Sequence, residues 1–312
     1  MSKTLPDNAI EAIKLDKIYQ AQGKGESKHA LKSLDLNVPR GSVFGLLGPN
    51  GAGKSTFINI LAGMVIKTSG TAKIWGIDID KDSRNARSAI GIVPQEISLD
   101  AFFTPREILH VQAGLYGVPK KERRTSELLD LVGLTDKADS YSRTLSGGMK
   151  RRMMVAKAMV HSPPILVLDE PTAGVDIELR RALWDSVRAL NERGVTIILT
   201  THYLEEAEEL CDRIAIINKG EIIAAKTKAD LLASAGQKTL HLSLATPPPL
   251  PLPDALAQLG AQWRDGRLSI SFDPATSNAV DILHKVRLAG FEVSDISTAE
   301  PDLEDVFLSL TK

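Results

Sequence analysis

Apolar and polar positions along the chain mark out a series of alternating elements. Residues 10–19 mix the two kinds as a strand does. Leu34, Leu36 and Val38 alternate with Asp35, Asn37 and Pro39, as on a strand with one buried face. The stretch between, 20–28 (QAQGKGESK), is polar and glycine-bearing and reads as a loop. Residues 43–47 are a continuous apolar run ending in a glycine-rich segment, which suits a parallel strand buried on both faces. Phe57, Ile58, Ile60 and Leu61 then recur at helical spacing and predict a helix over 54–61. From 104 to 161 the pattern is mostly helical, broken at Gly117-Val118-Pro119 and at Gly133. Two more apolar strands, 165–168 and 195–199, flank a helix over 177–191. Residues 213–224 predict a hairpin turning at Asn218-Lys219-Gly220. Alternating strands and helices imply an α/β fold with a parallel, doubly wound sheet.

Near residue 237 the texture changes. The segment 246–253 (TPPPLPLP) is unsuited to a regular helix or central strand. Weak strands at 240–244, 268–272 and 293–297, with two or three short helices, predict a small α+β domain of about 75 residues. The expected division is therefore 1–236 and 237–312, and no internal repeat is visible.

Composition narrows the class. The 312 residues are 43% hydrophobic and 25% charged, ordinary for a folded globular chain. A formal net charge of -1 gives no broad basic field, so no nucleic-acid partner is expected. The single cysteine, Cys211, excludes an internal disulfide and reads as a buried thiol in a reducing compartment. No stretch approaches the ~18 apolar residues of a membrane-spanning helix. The start (MSKTLPDNAI) has no apolar core of a secretory signal. A cytoplasmic location is expected, with any membrane role exercised through a partner.

The strongest chemical signal is Gly48-Pro49-Asn50-Gly51-Ala52-Gly53-Lys54-Ser55, followed by Thr56. It fits the phosphate-binding pattern G-x-x-x-x-G-K-[ST] between a buried strand and a helix. Glycines let backbone N–H groups converge on anionic oxygens, and the helix start adds its positive end. Lys54 reaches the outer phosphates and the Ser55 hydroxyl binds Mg²⁺. In a second signal, the strand at 165–168 delivers Asp169 and Glu170 at its C-terminal end, where α/β sheets place ligands. Asp169 suits Mg²⁺, and Glu170 suits a general base for water. Such a pair alone is often a solvated turn. The third signal is Leu145-Ser146-Gly147-Gly148-Met149 before Lys150-Arg151-Arg152: either a second anion-binding helix start, or a plain turn with a solvated basic face.

In order and spacing, GPNGAGKST, Gln95, LSGGM, ILVLDE, Ala173-Gly174-Val175-Asp176 and His202 resemble the ABC-type ATPases over roughly residues 10–230. The nearest competitor, the phosphate-loop GTPases, needs an N-K-x-D motif, and Asn218-Lys219-Gly220-Glu221 lacks the aspartate. The resemblance implies a P-loop NTPase (RecA-like) parallel core with an antiparallel β subdomain, and a helical subdomain at about 96–160. It implies ATP and Mg²⁺ as ligands and the following roles. Tyr19 stacks on adenine. Gln95 completes the Mg²⁺ and water site. His202 holds the γ-phosphate and Glu170. Asp176, Ser146, Gly147 and Gly148 face a second ATPase subunit, so that two chains close head to tail on ATP. LSGGM and AGVD depart from the commoner LSGGQ and SALD. With Phe102–Glu107 (FFTPRE), Leu115-Tyr116-Gly117 and Pro301–Phe307 (PDLEDVF), they resemble a branch of ABC-2-type exporter ATPases typified by daunorubicin resistance. Members carry a small C-terminal domain and serve an integral membrane permease at the inner face of the cell membrane. Phe102, Phe103, Leu115 and Tyr116 either line a groove for a permease helix or pack within the helical region. The alternative, a non-transport ABC ATPase acting on ribosome or DNA, fits less well, because the chain has one cassette and no long heptad run.

Overall fold

The computed structural model describes residues 5–20, 27–172, 177–233, 238–264, 266–273, 276–299 and 302–311. The chain divides into two compact units, Met1–Lys228 and Ala229–Lys312.

The first unit holds two sheets. One is antiparallel, with order β2-β1-β4-β5, formed by β1 (Asn8–Tyr19), β2 (Lys28–Pro39), β4 (Ser69–Ile74) and β5 (Ile77–Asp78). Ile10 pairs with Val38 and Ala12 with Leu36, so one apolar face is buried. The second sheet has six strands in the order β10-β9-β3-β8-β7-β6. These are β3 (Val43–Leu47), β6 (Ile90–Val93), β7 (Ile165–Asp169), β8 (Thr196–Thr201), β9 (Arg213–Asn218) and β10 (Glu221–Thr227). All neighbours are parallel except the β9–β10 hairpin. Every residue of β3 and β8 is buried, as continuous apolar runs require in a sheet covered on both faces.

The helices of this unit are α1 (Lys54–Leu61), α2 (Ser83–Ser88), α3 (Pro105–Leu115), α4 (Thr125–Leu131), α5 (Gly147–Ala158), α6 (Ile177–Glu192) and α7 (Leu204–Leu210). Of the expected elements, β3 and α1 keep their bounds. β2 begins at Lys28, a residue whose polar surroundings read as loop. The helical stretch after residue 104 resolves into α3, α4 and α5 with short 3₁₀ turns between. Thr104 and Glu107 form a reciprocal capping box with Pro105 in the first turn, which fixes where α3 starts.

Because β3, β6, β7 and β8 run parallel, their C-terminal ends share one edge. Leu47 lies beside Thr201, Asp169 beside Thr200, and Val93 beside Leu168. The segments that leave this edge carry Gly48, Gln95, Glu170 and His202. Topology alone thus gathers residues up to 154 positions apart in sequence.

The chain passes to the second unit through α8 (Lys228–Ala233). This unit has an antiparallel sheet, order β12-β13-β11-β14, from β11 (Lys238–Leu244), β12 (Gln262–Arg264), β13 (Arg267–Phe272) and β14 (Val293–Ala299). Its helices are α9 (Asp254–Ala257), α10 (Ala279–Leu288) and α11 (Leu303–Thr311). Leu240, Leu242, Leu268, Ile270 and Phe272 form one face of the sheet and cluster with Leu256, Ile282 and Val286. The other face is polar, with His241 Nδ1 2.9 Å from Ser269 Oγ across the pair. β11 and β13 are thus half-buried and alternate, unlike β3 and β7.

Candidate nucleotide site

The loop between β3 and α1 is shaped by steric necessity. A Cβ on Gly48 would lie 2.2 Å from the carbonyl oxygen of Ile217 in β9, a distance no side chain tolerates. Gly53 takes φ 117, outside the range of ordinary L-residues. The loop encloses a cavity of about 340 Å³ with Pro49, Asn50, Gly51, Ala52, Gly53, Lys54, Ser55 and Thr56 in its wall. Gln95 and Glu170 complete it from β6 and β7, and Lys28 and Ala30 from β2.

Lys54 is 5% exposed. Its ammonium donates to Gly48 O at 2.6 Å and Pro49 O at 3.4 Å, and lies 3.7 Å from Glu170 Oε1. Burial pulls its pKa below the usual lysine value, opposed by the carboxylates of Glu170 and Asp169. The carbonyls are weak partners for a cation, so the ammonium is poised to transfer to a stronger anion entering the cavity.

Glu170 is the hub. Gln95 Nε2 donates to its Oε2 at 3.1 Å, and His202 Nδ1 lies 3.4 Å from its Oε1. Its backbone N–H donates to Thr200 O at 3.0 Å and Thr200 Oγ1 at 3.1 Å. Glu170 also has φ 46, a left-handed conformation that costs a glutamate energy and is kept only where the surroundings impose it. Here the Thr200 contacts impose it, turning the side chain out of the strand toward the loop. Asp169, one residue earlier, is hydrogen-bonded through Oδ1 to the Thr200 hydroxyl. One threonine therefore orients both acids.

Tyr19 ends β1 opposite Lys28, which lines the cavity, and is not itself part of the cavity wall. The Lys17 ammonium lies 4.7 Å from that ring's centroid. Ser146 caps α5, its hydroxyl accepting from Met149 N at 3.3 Å, with Gly147 and Gly148 in the first turn. None of these three lines the cavity of its own chain. Asp176 lies outside the described residues.

Three features have no signal in the sequence pattern. The basic run after LSGGM is not all solvated. Arg151 is 5% exposed and donates to Pro94 O at 3.0 Å and Gln95 O at 2.7 Å. Arg152 donates to Gly133 O at 3.2 Å. Glu206, 0% exposed on α7, accepts from Trp184 Nε1 at 3.4 Å and faces Thr172 and Thr201; burial raises its pKa. Ala207 and Leu210 are buried beside it, but the acidic run around Glu206 gives no sign of that.

The chain resembles known proteins over nearly its whole length. The ABC transporter family model matches residues 31–173. The chain is 39% identical to the linearmycin resistance ATP-binding protein of Bacillus subtilis (strain 168), over 96% of this chain and 98% of that protein. It is also 39% identical to the daunorubicin/doxorubicin resistance ATP-binding protein of Streptomyces peucetius, over 99% of this chain and 94% of that protein. A dimeric ATP-binding cassette in a post-hydrolysis state, bound to ADP and Pi, superposes with a TM-score of 0.61 at 28% identity, covering 70% of this chain and 98% of that one. This chain belongs to the ATP-binding proteins of ABC transporters, ATPases whose hydrolysis is coupled to transport, in the branch that holds the daunorubicin-resistance proteins.

Proposed function

We propose that this chain is the motor of an exporter: it binds ATP between two copies paired head to tail and drives a separate membrane permease of the ABC-2 type. The observation that carries the reading is Glu170, turned into the phosphate-loop cavity and contacted by Gln95, with Lys54 and His202 beside it.

Entering phosphates accept from the loop N–H groups, and Lys54 leaves the Gly48 and Pro49 carbonyls for the outer phosphates. The donors around Ser55, Asp169 and Gln95 are oxygens, and among the described residues no three acidic, histidine or cysteine side chains cluster as a closed metal cage. That set fits Mg²⁺, which takes few protein ligands and completes its shell with phosphate oxygens and water. Held by Ser55, Asp169 and Gln95, Mg²⁺ would supply charge neutralisation to the leaving phosphates. Glu170 accepts a proton from the attacking water, His202 holds Glu170 and the γ-phosphate, and Gln95 orders the water. Tyr19 covers the adenine.

Ser146, Gly147 and Gly148 seat the nucleotide held by the partner copy, with Asp176 at the same contact. ATP then links the two copies, and losing the γ-phosphate releases them. Among the described residues no helix is long and apolar enough to cross a membrane, so coupling runs through a permease at the inner face. Phe102 (72% exposed), ahead of α3, and Val111 and Leu115 (78% exposed), one turn apart on it, are apolar side chains open to a permease helix. The exported substrate is of the drug, lipid or polysaccharide class, and the two relatives, named for resistance to linearmycin and to daunorubicin/doxorubicin, favour the drug-like one among these.

Glu170→Gln tests the reading. The variant is expected to bind ATP, to hydrolyse it about 10²–10⁴-fold more slowly, to run as a dimer in ATP and to retain a polytopic membrane protein from gently solubilised membranes. Wild-type turnover would remove Glu170 from its role. Recovery with nucleic acid or ribosomes alone would give the motor a different load.

A further inference from the structure

Arg151 is buried without an acidic partner. Among the described residues it makes no ion pair, and its guanidinium donates only to the carbonyls of Pro94 and Gln95. Burying a charge on neutral acceptors is costly, and a methionine or leucine would fill the same space at less cost. Its position explains the arrangement. Arg151 lies one helical turn after Gly147 in α5, the helix that Ser146 caps. From there its guanidinium ties α5 to the segment that leaves β6.

The contacts continue beyond it. Gln95, held by its carbonyl, donates from its amide to Glu170 Oε2 at 3.1 Å. Glu170 Oε1 is in turn 3.7 Å from Lys54 Nζ and 3.4 Å from His202 Nδ1. The body of α5 is thereby joined, through Arg151 and Gln95, to the acid of the chain's own nucleotide cavity. On the proposed function, on which this inference rests, the start of α5 seats the partner's nucleotide.

We propose that Arg151 is a positioning residue that connects the two nucleotide sites of the pair: a nucleotide seated on Ser146 to Gly148 fixes the start of α5, Arg151 carries that constraint to Gln95, and Gln95 aligns Glu170 on the other nucleotide. Hydrolysis is then cooperative in ATP, because filling one site completes the acid of the other. Coupling of this kind appears as a Hill coefficient above 1, with an upper limit of about 2 for two sites.

The test is steady-state hydrolysis by the purified full-length chain across a range of ATP concentrations, with ATP binding measured separately on the same protein. For Arg151→Met, which keeps the stem and removes the donors, the Hill coefficient is expected to fall to about 1, while ATP affinity stays within about twofold of wild type. Arg151→Lys, which retains one donor, is expected to lie between. A merely structural arginine would change melting temperature and active fraction but leave the shape of the curve alone. Wild-type cooperativity in folded Arg151→Met overturns the proposal, as does a wild-type Hill coefficient of 1. If Arg151→Met does not fold, Gln95→Ala cuts the same connection at an exposed residue, and retained cooperativity there overturns it equally. Glu170→Gln run in parallel separates the two levels. If that variant forms no ATP-dependent dimer, the paired reading fails; if it dimerises while Arg151→Met stays cooperative, only the role of Arg151 fails.

Discussion

The chain contains two glycine-rich helix starts, and they are built to different degrees of completion. At 48–55 the loop is fixed at Gly48 and at Gly53, where neighbouring backbone comes close. Gly48 lies against the Ile217 carbonyl, Lys54 is buried, and Gln95 and Glu170 close the cavity. At 146–148 the helix has its serine cap and little else. A Cβ on Gly147 would meet nothing within 4 Å. Its own chain therefore gives no reason for glycine at 147, whereas it gives a compelling one at 48. The contrast marks where each site ends. The first is finished within one chain; the second leaves room for something that arrives from outside, which on the proposed function is the partner's nucleotide.

This contrast is tested most severely at Lys54. Lys54→Met removes a buried cation from among carboxylates, and ATP affinity measured by calorimetry is expected to fall by about 2–5 kcal/mol. Next is Gly48→Ala, where β9 must move to admit a methyl group. A loss of about 1–3 kcal/mol in chemical denaturation is expected, with weaker ATP binding. Gly147→Ala is expected to do the reverse. Stability should stay within about 0.5 kcal/mol of wild type and ATP should still bind the single chain, yet turnover should drop about tenfold, equivalent to about 1.4 kcal/mol. If Gly147→Ala turns over like wild type, the space in front of it is not a nucleotide seat.

The smallest effect concerns the support beneath the complete site. Glu206 faces Thr172 and Thr201, with Trp184 and Arg180 from α6 and the Cys211 thiol nearby. Burial raises its pKa above the ordinary 4.5. A carboxyl whose pKa is raised by folding contributes stability that is fully present below the ordinary value and is lost as pH rises through the folded pKa. Glu206→Gln cannot ionise, so its melting temperature should gain on wild type as pH rises. Parallel melting curves from pH 5 to 9 would contradict this.

Much of the fold and of the site is legible in the sequence itself. The run 43–47 and the periodicity of Phe57, Ile58, Ile60 and Leu61 locate β3 and α1, because a strand buried on both faces and a helix with one buried face write different patterns. Gly48 to Ser55 can be read because phosphate binding demands those residue types at that spacing. β4 and β6 leave no such trace. β4 (SGTAKI) has few residues of high β propensity and is held in place by pairing with β1. β6 (IGIV) is only four residues long, and Gly91 is required there by the close approach of Ala158 O, a tertiary reason invisible in sequence. The strained turn at Glu170 is also hidden, since nothing local distinguishes it from a solvated acid; Thr200, thirty residues away, creates it. Arg151 and Glu206 mislead for the same reason: charged residues in charged runs read as surface until neighbouring elements cover them.

Cys211 offers a practical handle. It is the chain's one cysteine, it is buried, and a Cβ at Gly45 in β3 would come within 2.9 Å of its sulfur. Burial also raises the thiol pKa well above its ordinary value, leaving little thiolate to react. Alkylating reagents should ignore the folded protein and label it only as β9 separates from β3, so the native thiol becomes a clock for opening of the core sheet. The same inertness makes the wild-type chain a ready background for reporter chemistry: a cysteine introduced at an exposed position would be the only one modified, and a spin label or crosslinker placed there could follow two copies approaching and parting through the ATP cycle.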